Sequence, residues 1–135
     1  MYSCLEIAIK SSIDFVLIQE SWIAFNNNAV FTISHLSYYC ILSNTLDIRP
    51  RVAIFARKLV NYQFCYRTDL TSDSDMIIID VSDEDIETFQ VINIYNEKSL
   101  DSEADNSYTV KRSLQNIQLS YKTLIVGDFN AYYSW

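Results

Sequence analysis

The sequence predicts one α/β domain of the α+β kind, with a mixed, largely antiparallel sheet flanked by helices. Two observations support this prediction. The chain has 135 residues, half of them hydrophobic, which is the size of a single domain with a sizeable core. Its apolar runs are short, rich in β-branched and aromatic residues, and lie between two segments with helical spacing. The domain is expected to cover residues 1–135.

The N-terminal half is expected to contain one helix followed by strands. Leu5, Ala8 and Ile9 recur at helical spacing, which predicts a short amphipathic helix within residues 2–12. The compact apolar run that follows, residues 14–20, is typical of a strand buried on both faces. Further strands are predicted at 29–33, 37–43, 51–57, 60–66, 76–81 and 89–95, with turns at 26–28 and 82–85.

The C-terminal part begins with a polar loop, residues 97–107. Val110, Leu114 and Ile117, with Tyr121 as a candidate fourth member, then predict a helix. A strand at 123–126 follows directly.

Charge and cysteine content limit the classes of function. The formal net charge is −7, which argues against a module that holds nucleic acid by bulk electrostatics. It leaves a nuclease open, because a carboxylate-lined metal site is itself negative. The three cysteines are widely spaced and without a paired motif, which predicts reduced, mostly buried thiols in an intracellular, nuclear or cytoplasmic protein. Neither a signal peptide nor a membrane span is expected.

The chain's only glycine marks the first candidate site. Gly127 follows the predicted strand 123–126 and precedes Asp128 and Asn130. Glycine lets the backbone pass close to a neighbour, and alternation would place both polar side chains on one side if the extended conformation continued. A carboxylate beside an amide suits phosphate-ester chemistry. The alternative is a strand end followed by an Asx-turn, which is the commoner meaning of an isolated Asp-x-Asn.

Two other predicted strands also end in polar side chains. Glu20 ends the first strand and would suit Mg²⁺ as a hard-oxygen ligand, although a solvated loop residue is the alternative. Tyr95 and Asn96 end the strand at 89–95, and an ordinary half-buried tyrosine is the alternative there. Ligands collect at the carboxyl ends of strands in open α/β folds, so the three ends together predict one shared site.

These stretches carry a resemblance to a known family. The series "DFVLIQESW", "RPRVAIFARK", "FQVINIYNE" and "TLIVGDFNAYYSW" resembles the endonuclease/exonuclease/phosphatase superfamily. It is most similar to the endonuclease domain of fungal LINE-type (non-LTR) retrotransposons, where the usual forms are close to "QEPW", "RPRV", "NIYN" and "GDFNAHH". The resemblance implies a four-layer αββα sandwich of the DNase-I-like type, here in partial form. It also implies Mg²⁺- or Mn²⁺-dependent hydrolysis of phosphodiesters, with DNA as the partner.

The resemblance also implies roles for individual residues. Glu20 matches the metal-binding glutamate and Tyr95 the tyrosine that contacts the phosphate. Asp128 matches the aspartate that activates or positions the nucleophile, and Asn130 the asparagine that steadies the phosphoryl group. Two weaker candidates for substrate contact are Asn96 and Arg51. The basic stretch containing Arg51 could contact a DNA backbone, but the usual fate of such charges is a solvated strand end, which is the favoured interpretation.

Two family elements have no counterpart in this sequence: an opening strand that bears an asparagine, and a closing Asp-His pair. The chain is therefore expected to be a truncated domain with an incomplete catalytic set, weakly active or inactive. The single histidine, His35, is expected to be structural or superficial. The apolar runs 16–18, 77–79 and 92–94 are expected to lack full cover, which predicts self-association or binding of the missing half. The alternatives are a non-catalytic remnant or interaction module, and a phosphomonoesterase of the same superfamily.

Overall fold

A computed structural model of the chain describes residues 2–20, 23–26, 29–43, 48–83, 87–96, 109–120 and 122–130. Its helical elements are α1 (Tyr2–Lys10), α2 (Thr109–Arg112) and a 3₁₀ turn (Leu114–Asn116). Its strands are β1 (Phe15–Gln19), β2 (Ala24–Asn26), β3 (Ala29–Phe31), β4 (Tyr38–Leu42), β5 (Val52–Arg57), β6 (Tyr62–Tyr66), β7 (Met76–Asp83), β8 (Phe89–Tyr95) and β9 (Thr123–Asp128).

The first sheet contains β1, β5 and β4 in that order, and its neighbouring strands are antiparallel. Helix α1 packs on its outer face, where Leu5 and Ala8 contact the buried Ala53 and Phe55. Leu5 and Ala8 are three residues apart and therefore lie on one side of the helix, as their spacing predicts. Strands β2 and β3 form a separate two-stranded ribbon.

The second sheet contains β6, β7, β8 and β9 in that order. The first three are antiparallel, and β9 runs parallel to β8. The chain between β8 and β9 includes α2 and the 3₁₀ turn, whose Val110 and Leu114 pack against the buried Ile78 and Ile92 on the outer face. A parallel pair needs such a crossover, because the chain must return to the starting edge before the second strand begins.

The main core lies between the two sheets. Ile54 of β5 packs there with Ile77 and Ile79 of β7 and Val91 of β8, and each is at most 3% exposed. Strand β7 contributes buried side chains to both faces of the second sheet, because successive side chains of a strand point in opposite directions. Ile77 and Ile79 face the first sheet, while Ile78 faces the crossover segment.

The prediction of an α+β fold with mostly antiparallel strands is confirmed, with two corrections to its elements. The strands form two main sheets. The helix expected from residue 110 is only the four-residue α2 followed by the 3₁₀ turn. Strand β7 continues through Asp83, where a turn was expected, because its last residues pair with Tyr62 and Gln63 of β6.

Strand β1 differs from its prediction in burial. All five of its residues are half-buried, although the apolar run predicted burial on both faces. The strand lies at the edge of the first sheet and pairs only with β5, so neighbouring strands cover it on one side alone.

The expectation that the inner apolar runs lack cover is wrong for β7 and β8. Ile77, Ile79, Ile92 and Ile94 are fully buried, because each face of the second sheet meets another part of the same chain. An exposed apolar side chain of the second sheet is found instead on its edge strand β9, where Leu124 is 53% exposed.

The expectation of mostly buried cysteines is also wrong. Cys4 and Cys65 are exposed and Cys40 is half-buried, and all three carry free thiols. The polar loop at 97–107, the predicted turn residues 27 and 28, and Tyr121 lie outside the described residues. No helix in the described ranges is long and apolar enough to cross a membrane.

Candidate functional site

Five strand ends meet at one edge of the two sheets. Strands β8 and β9 are parallel and in register, so their last residues, Tyr95 and Asp128, lie side by side. Glu20 follows the end of β1, and Arg51 precedes the start of β5, which pairs with β1 in antiparallel fashion. Asp75 precedes β7, and its carbonyl oxygen accepts a hydrogen bond of 2.9 Å from the Tyr95 amide. The edge therefore gathers polar side chains from five segments.

Gly127 allows β8 and β9 to approach this closely. A Cβ atom added at Gly127 would overlap the carbonyl oxygen of Ile94 and come within 2.5 Å of its Cγ2 atom. Ile94 is the register partner of Gly127 on the parallel strand. The predicted role of this glycine, close passage beside a neighbouring backbone, is confirmed.

Glu20 and Tyr95 form the centre of the site. The Tyr95 hydroxyl donates a hydrogen bond of 2.6 Å to Oε1 of Glu20, across 75 positions of sequence. Tyr95 is 9% exposed and packs in the inter-sheet core, whereas Glu20 is exposed. The pair thus joins the end of β1 in the first sheet to the end of β8 in the second.

The backbone at Glu20 explains how its side chain reaches Tyr95. Gln19 precedes it and faces the core, where its amide reaches Asn93. Regular alternation would therefore turn Glu20 toward the α1 side. Instead Glu20 has φ 50°, in the left-handed region that residues with a Cβ seldom occupy. Such backbone is maintained by the surrounding structure and clusters at functional sites.

Arg51 covers the ring of Tyr95 and is itself held by a buried carboxylate. Its guanidinium carbon lies 4.7 Å from the ring centroid, a cation–π distance. Nε donates to Oδ1 of Asp75 at 2.8 Å, and Nη2 donates to Oδ2 of the same carboxylate. The Asp75 side chain is 1% exposed and that of Arg51 is 28% exposed. Arg51 is therefore not the solvated strand end that the basic stretch allowed.

The hydrogen-bond pattern holds Tyr95 in its neutral form. The hydrogen bond to Glu20 raises the pKa of the Tyr95 phenol, because it stabilises the protonated hydroxyl; burial and the charge of Glu20 raise it further. The charge of Arg51 and the side chain of Asn130 lower it, by smaller amounts. The proton therefore stays on the Tyr95 hydroxyl, which donates it in the hydrogen bond to the exposed Glu20 carboxylate.

Asp128 and Asn130 form a turn, and the extended conformation does not continue past Asp128. Asn130 has φ 45°, and its backbone N–H donates to Oδ1 of Asp128 at 3.0 Å, which is an Asx-turn. The condition for alternation to align these two side chains is therefore not met, and the alternative, a strand end followed by an Asx-turn, is confirmed. The turn brings Asn130 back toward β8, where its Nδ2 donates to the carbonyl oxygen of Asn96 at 2.6 Å.

Asn96 ties the loop after β9 to the crossover segment. Its Nδ2 donates to the carbonyl oxygen of Phe129 at 2.9 Å, and its Oδ1 accepts from the amide of Val110 at 3.2 Å. Its own amide donates to the carbonyl oxygen of Asp128 at 2.8 Å. Asn96 is 9% exposed, so its side chain serves the local backbone.

The structure thus brings together the six residues that the sequence singled out: Glu20, Arg51, Tyr95, Asn96, Asp128 and Asn130. Sequence reasoning missed three supporting residues: Gln19, Asp75 and Asn93. The signal available for Asn93 was an amide flanked by Ile92 and Ile94 in the middle of a predicted strand. His35 lies away from this edge; it is 9% exposed and reaches Glu6 of α1 at 3.3 Å, in agreement with a structural role.

The residues of this edge fit a largely hydrated magnesium ion better than a closed metal cage. Among the described residues, no group of three or more His, Cys, Asp or Glu side chains could hold a metal ion. Mg²⁺ usually keeps several waters and binds through one or two carboxylates together with substrate phosphates. Glu20 offers one exposed carboxylate whose orientation the Tyr95 hydroxyl fixes, and Asp128 is a second exposed carboxylate near by.

Comparison of the chain with protein-family models, with curated proteins and with solved structures found no match. Function is therefore inferred from the residues and geometry of this edge.

Proposed function

We propose that the chain carries the N-terminal catalytic part of a divalent-metal-dependent phosphodiesterase, a DNA endonuclease domain of the retrotransposon type. One observation supports this above the others: Glu20, Tyr95, Asp128 and Asn130, from three distant segments, meet at one strand edge. The resemblance assigns these same four residues to metal and phosphate chemistry. Ordinary strand ends would not be expected to coincide with that assignment.

The DNase-I-like four-layer sandwich belongs to the same proposal. Two packing features support it: α1 covers the outer face of the first sheet, and the crossover segment covers the outer face of the second. The inner faces of the two sheets pack on each other through the core cluster that includes Ile54 and Ile77.

In the proposed reaction Glu20 would hold Mg²⁺ or Mn²⁺, which when bound neutralises charge on the phosphate. Tyr95 donates its only hydroxyl proton to Glu20, so its task is to orient that carboxylate. The Asp128 carboxylate accepts hydrogen bonds and would orient or deprotonate the attacking water. Asn130 supplies amide N–H groups that would donate to phosphoryl oxygens as negative charge develops.

Charge explains why the site would need a cation to bind DNA. Arg51 is paired with Asp75, so its charge is compensated locally. In the described part of the chain, neither Glu20 nor Asp128 forms an ion pair with a lysine or arginine. A phosphate would meet net repulsion here, and a divalent cation would reverse it.

The test is nicking of supercoiled plasmid in Mg²⁺ or Mn²⁺ by the wild type, Glu20→Gln and Asp128→Asn. The matched control is Glu87→Gln, which removes the same charge from an exposed residue before the start of β8, the end opposite Tyr95. Because the catalytic set is incomplete, we expect only weak metal-dependent nicking by the wild type and the control, and a further loss of roughly 100-fold or more in the two site variants. Absent nicking, or equal nicking by all four proteins, would contradict the catalytic proposal.

Two model substrates distinguish the proposed phosphodiesterase activity from the phosphomonoesterase alternative. We expect bis(p-nitrophenyl) phosphate, a diester, to be hydrolysed in preference to p-nitrophenyl phosphate, a monoester. The reverse preference would favour a phosphomonoesterase of the same superfamily.

One observation favours the interaction module as a second candidate. Leu124 of β9 is 53% exposed, and its register partner Val91 is 3% exposed and belongs to the core. An apolar side chain at an uncovered sheet edge is a typical contact for another strand or chain. Size-exclusion chromatography with light scattering tests this, and a stable monomer that remains monomeric at high concentration would contradict it.

A further inference from the structure

Asn93 is a fully buried polar residue in the middle of β8. It lies between Ile92 and Ile94 and faces the first sheet together with Val91 and Tyr95. A buried amide is costly unless its polar atoms are hydrogen-bonded. The hydrogen-bond partners of Asn93 therefore indicate the structural role of this polar residue in the core between the sheets.

Those partners all belong to the first sheet. Nδ2 of Asn93 donates to the carbonyl oxygens of Ala53 at 2.9 Å and Ile18 at 3.2 Å. Oδ1 accepts a hydrogen bond of 2.5 Å from Nε2 of Gln19. Both donors and the acceptor of the amide are in use. One side chain of the second sheet thus binds β1 and β5 of the first.

The Gln19–Asn93 contact is the neighbour of the Glu20–Tyr95 contact, because Gln19 directly precedes Glu20 and Asn93 lies two residues before Tyr95. Asn93 and Tyr95 are two residues apart on β8 and share the inner face. Gln19 and Glu20 are consecutive, so a regular strand would present only one of them to that face. The left-handed backbone at Glu20 brings the second side chain round to the same side.

We propose that Asn93, acting with Gln19, is a positioning residue that fixes the end of β1 against β8 and thereby aims the Glu20 carboxylate at the Tyr95 hydroxyl. The left-handed conformation is unfavourable for glutamate and needs support from its surroundings. The anchored residue immediately before it supplies that support. The consequence for metal binding rests on the proposed function, whereas the positioning of Glu20 does not.

The test compares Gln19→Met and Asn93→Leu with a matched control, Gln90→Met. Gln90 lies on the same strand, is 3% exposed, and donates a side-chain hydrogen bond to Asp80 at 3.1 Å. The control therefore removes a comparable buried hydrogen bond at the opposite end of β8. Two readouts apply: NMR cross-peaks between the Glu20 and Tyr95 side chains, and line broadening of those resonances by Mn²⁺ alone.

We expect Gln19→Met and Asn93→Leu to lose the Glu20–Tyr95 cross-peaks and to bind Mn²⁺ at least about tenfold more weakly, as for other residues that orient a metal ligand. Gln90→Met should resemble the wild type in both readouts. Persistence of the cross-peaks in Gln19→Met would overturn the proposal, as would their equal loss in Gln90→Met. If Asn93→Leu does not fold, Gln19→Met decides, because Gln19 is only half-buried at a strand end.

The two readouts separate this inference from the proposed function. Loss of the cross-peaks in the variants, with no Mn²⁺ broadening in the wild type, would support the positioning role and contradict the metal site. Mn²⁺ broadening that is the same in the wild type and in Gln19→Met would support the metal site and overturn the positioning role.

Discussion

The two ends of β8 carry polar clusters that differ in how their carboxylates are paired with arginine. At the first end, Gln90 donates to Asp80, whose carboxylate also accepts a hydrogen bond of 2.5 Å from Arg67. The same guanidinium donates two hydrogen bonds to Asp69, at 2.8 and 2.7 Å. Each carboxylate of this cluster thus meets a cation from its own chain.

At the other end, the cation and the exposed carboxylates are kept apart. Arg51 is bound to the buried Asp75, while the exposed Glu20 is held by the Tyr95 hydroxyl. Asp128 accepts a hydrogen bond from the backbone of Asn130. Carboxylates that already contact an arginine attract a further cation less strongly than oriented carboxylates that form no ion pair with the described residues.

The largest expected effect comes from Gly127→Ala. The added methyl group would overlap Ile94 and push β9 away from β8, so we expect a loss of roughly 3 kcal/mol in the free energy of unfolding. Urea denaturation measures it. The control is Thr123→Ala at the other end of β9, which loses a hydrogen bond to Ser120 and should cost about 1 kcal/mol. Equal losses would contradict the close approach at the Tyr95 end.

The second prediction contrasts two aspartates, each bound to one arginine through two hydrogen bonds. Asp75→Asn breaks a pair whose carboxylate is buried, and we expect a loss of about 2–3 kcal/mol, less than for a fully buried pair because Arg51 is partly exposed. Asp69→Asn breaks a pair with an exposed carboxylate and should leave the unfolding midpoint within error. A larger loss for Asp69→Asn would reverse the comparison.

The third prediction concerns the titration of Tyr95, whose pKa lies above the ordinary value of 10.0. Glu20→Gln removes the negative acceptor, so the Tyr95 pKa should fall toward the ordinary value. A raised folded-state pKa contributes stability that is present below the unfolded-state pKa and is lost as pH rises through the folded-state value. Glu20→Gln should therefore reduce the loss of stability above pH 10.

Phenolate absorbance during alkaline titration gives the measurement, with Tyr95→Phe identifying the contribution of this one tyrosine. An unchanged Tyr95 pKa in Glu20→Gln would show that the Glu20 hydrogen bond does not control it.

The smallest expected effect compares two cysteines, Cys65 of the second sheet and Cys40 of the first. Cys65 is exposed and pairs in register with Asp80, so iodoacetamide should modify it in the folded protein with little change in stability. Cys40 is half-buried, and burial raises the pKa of its thiol to about 11, so Cys40 should react much more slowly than Cys65 in the folded protein. Mass spectrometry reports both rates. Equally rapid modification of the two cysteines in the folded protein would contradict this difference.

The apolar runs allowed much of the fold to be predicted. Strands β5, β7 and β8 lie where β-branched residues cluster, because such side chains fit a pleated, buried surface. The crossover helix was overestimated, since Val110, Leu114 and Ile117 contact the sheet from a single turn, a 3₁₀ turn and an extended residue. Spacing alone does not distinguish these from a continuous helix.

The candidate site could be predicted only at the strand ends. Glu20, Tyr95 and Asp128 stand out locally, because each is polar and follows or ends an apolar run. Asn93 and Asp75 do not, because their importance depends on partners distant in sequence. Asn93 binds Ala53, 40 positions away, and Asp75 binds Arg51, 24 positions away.

The sequence by itself determined which residues form strands, which strand ends are polar, and where a side chain had to be absent at Gly127. The direction of the Glu20 carboxylate was decided only by the tertiary structure. Its left-handed backbone runs against the local preference of the residue, and contacts between the two sheets maintain it. Local preferences set the strands, whereas packing between distant segments oriented the polar groups at their ends.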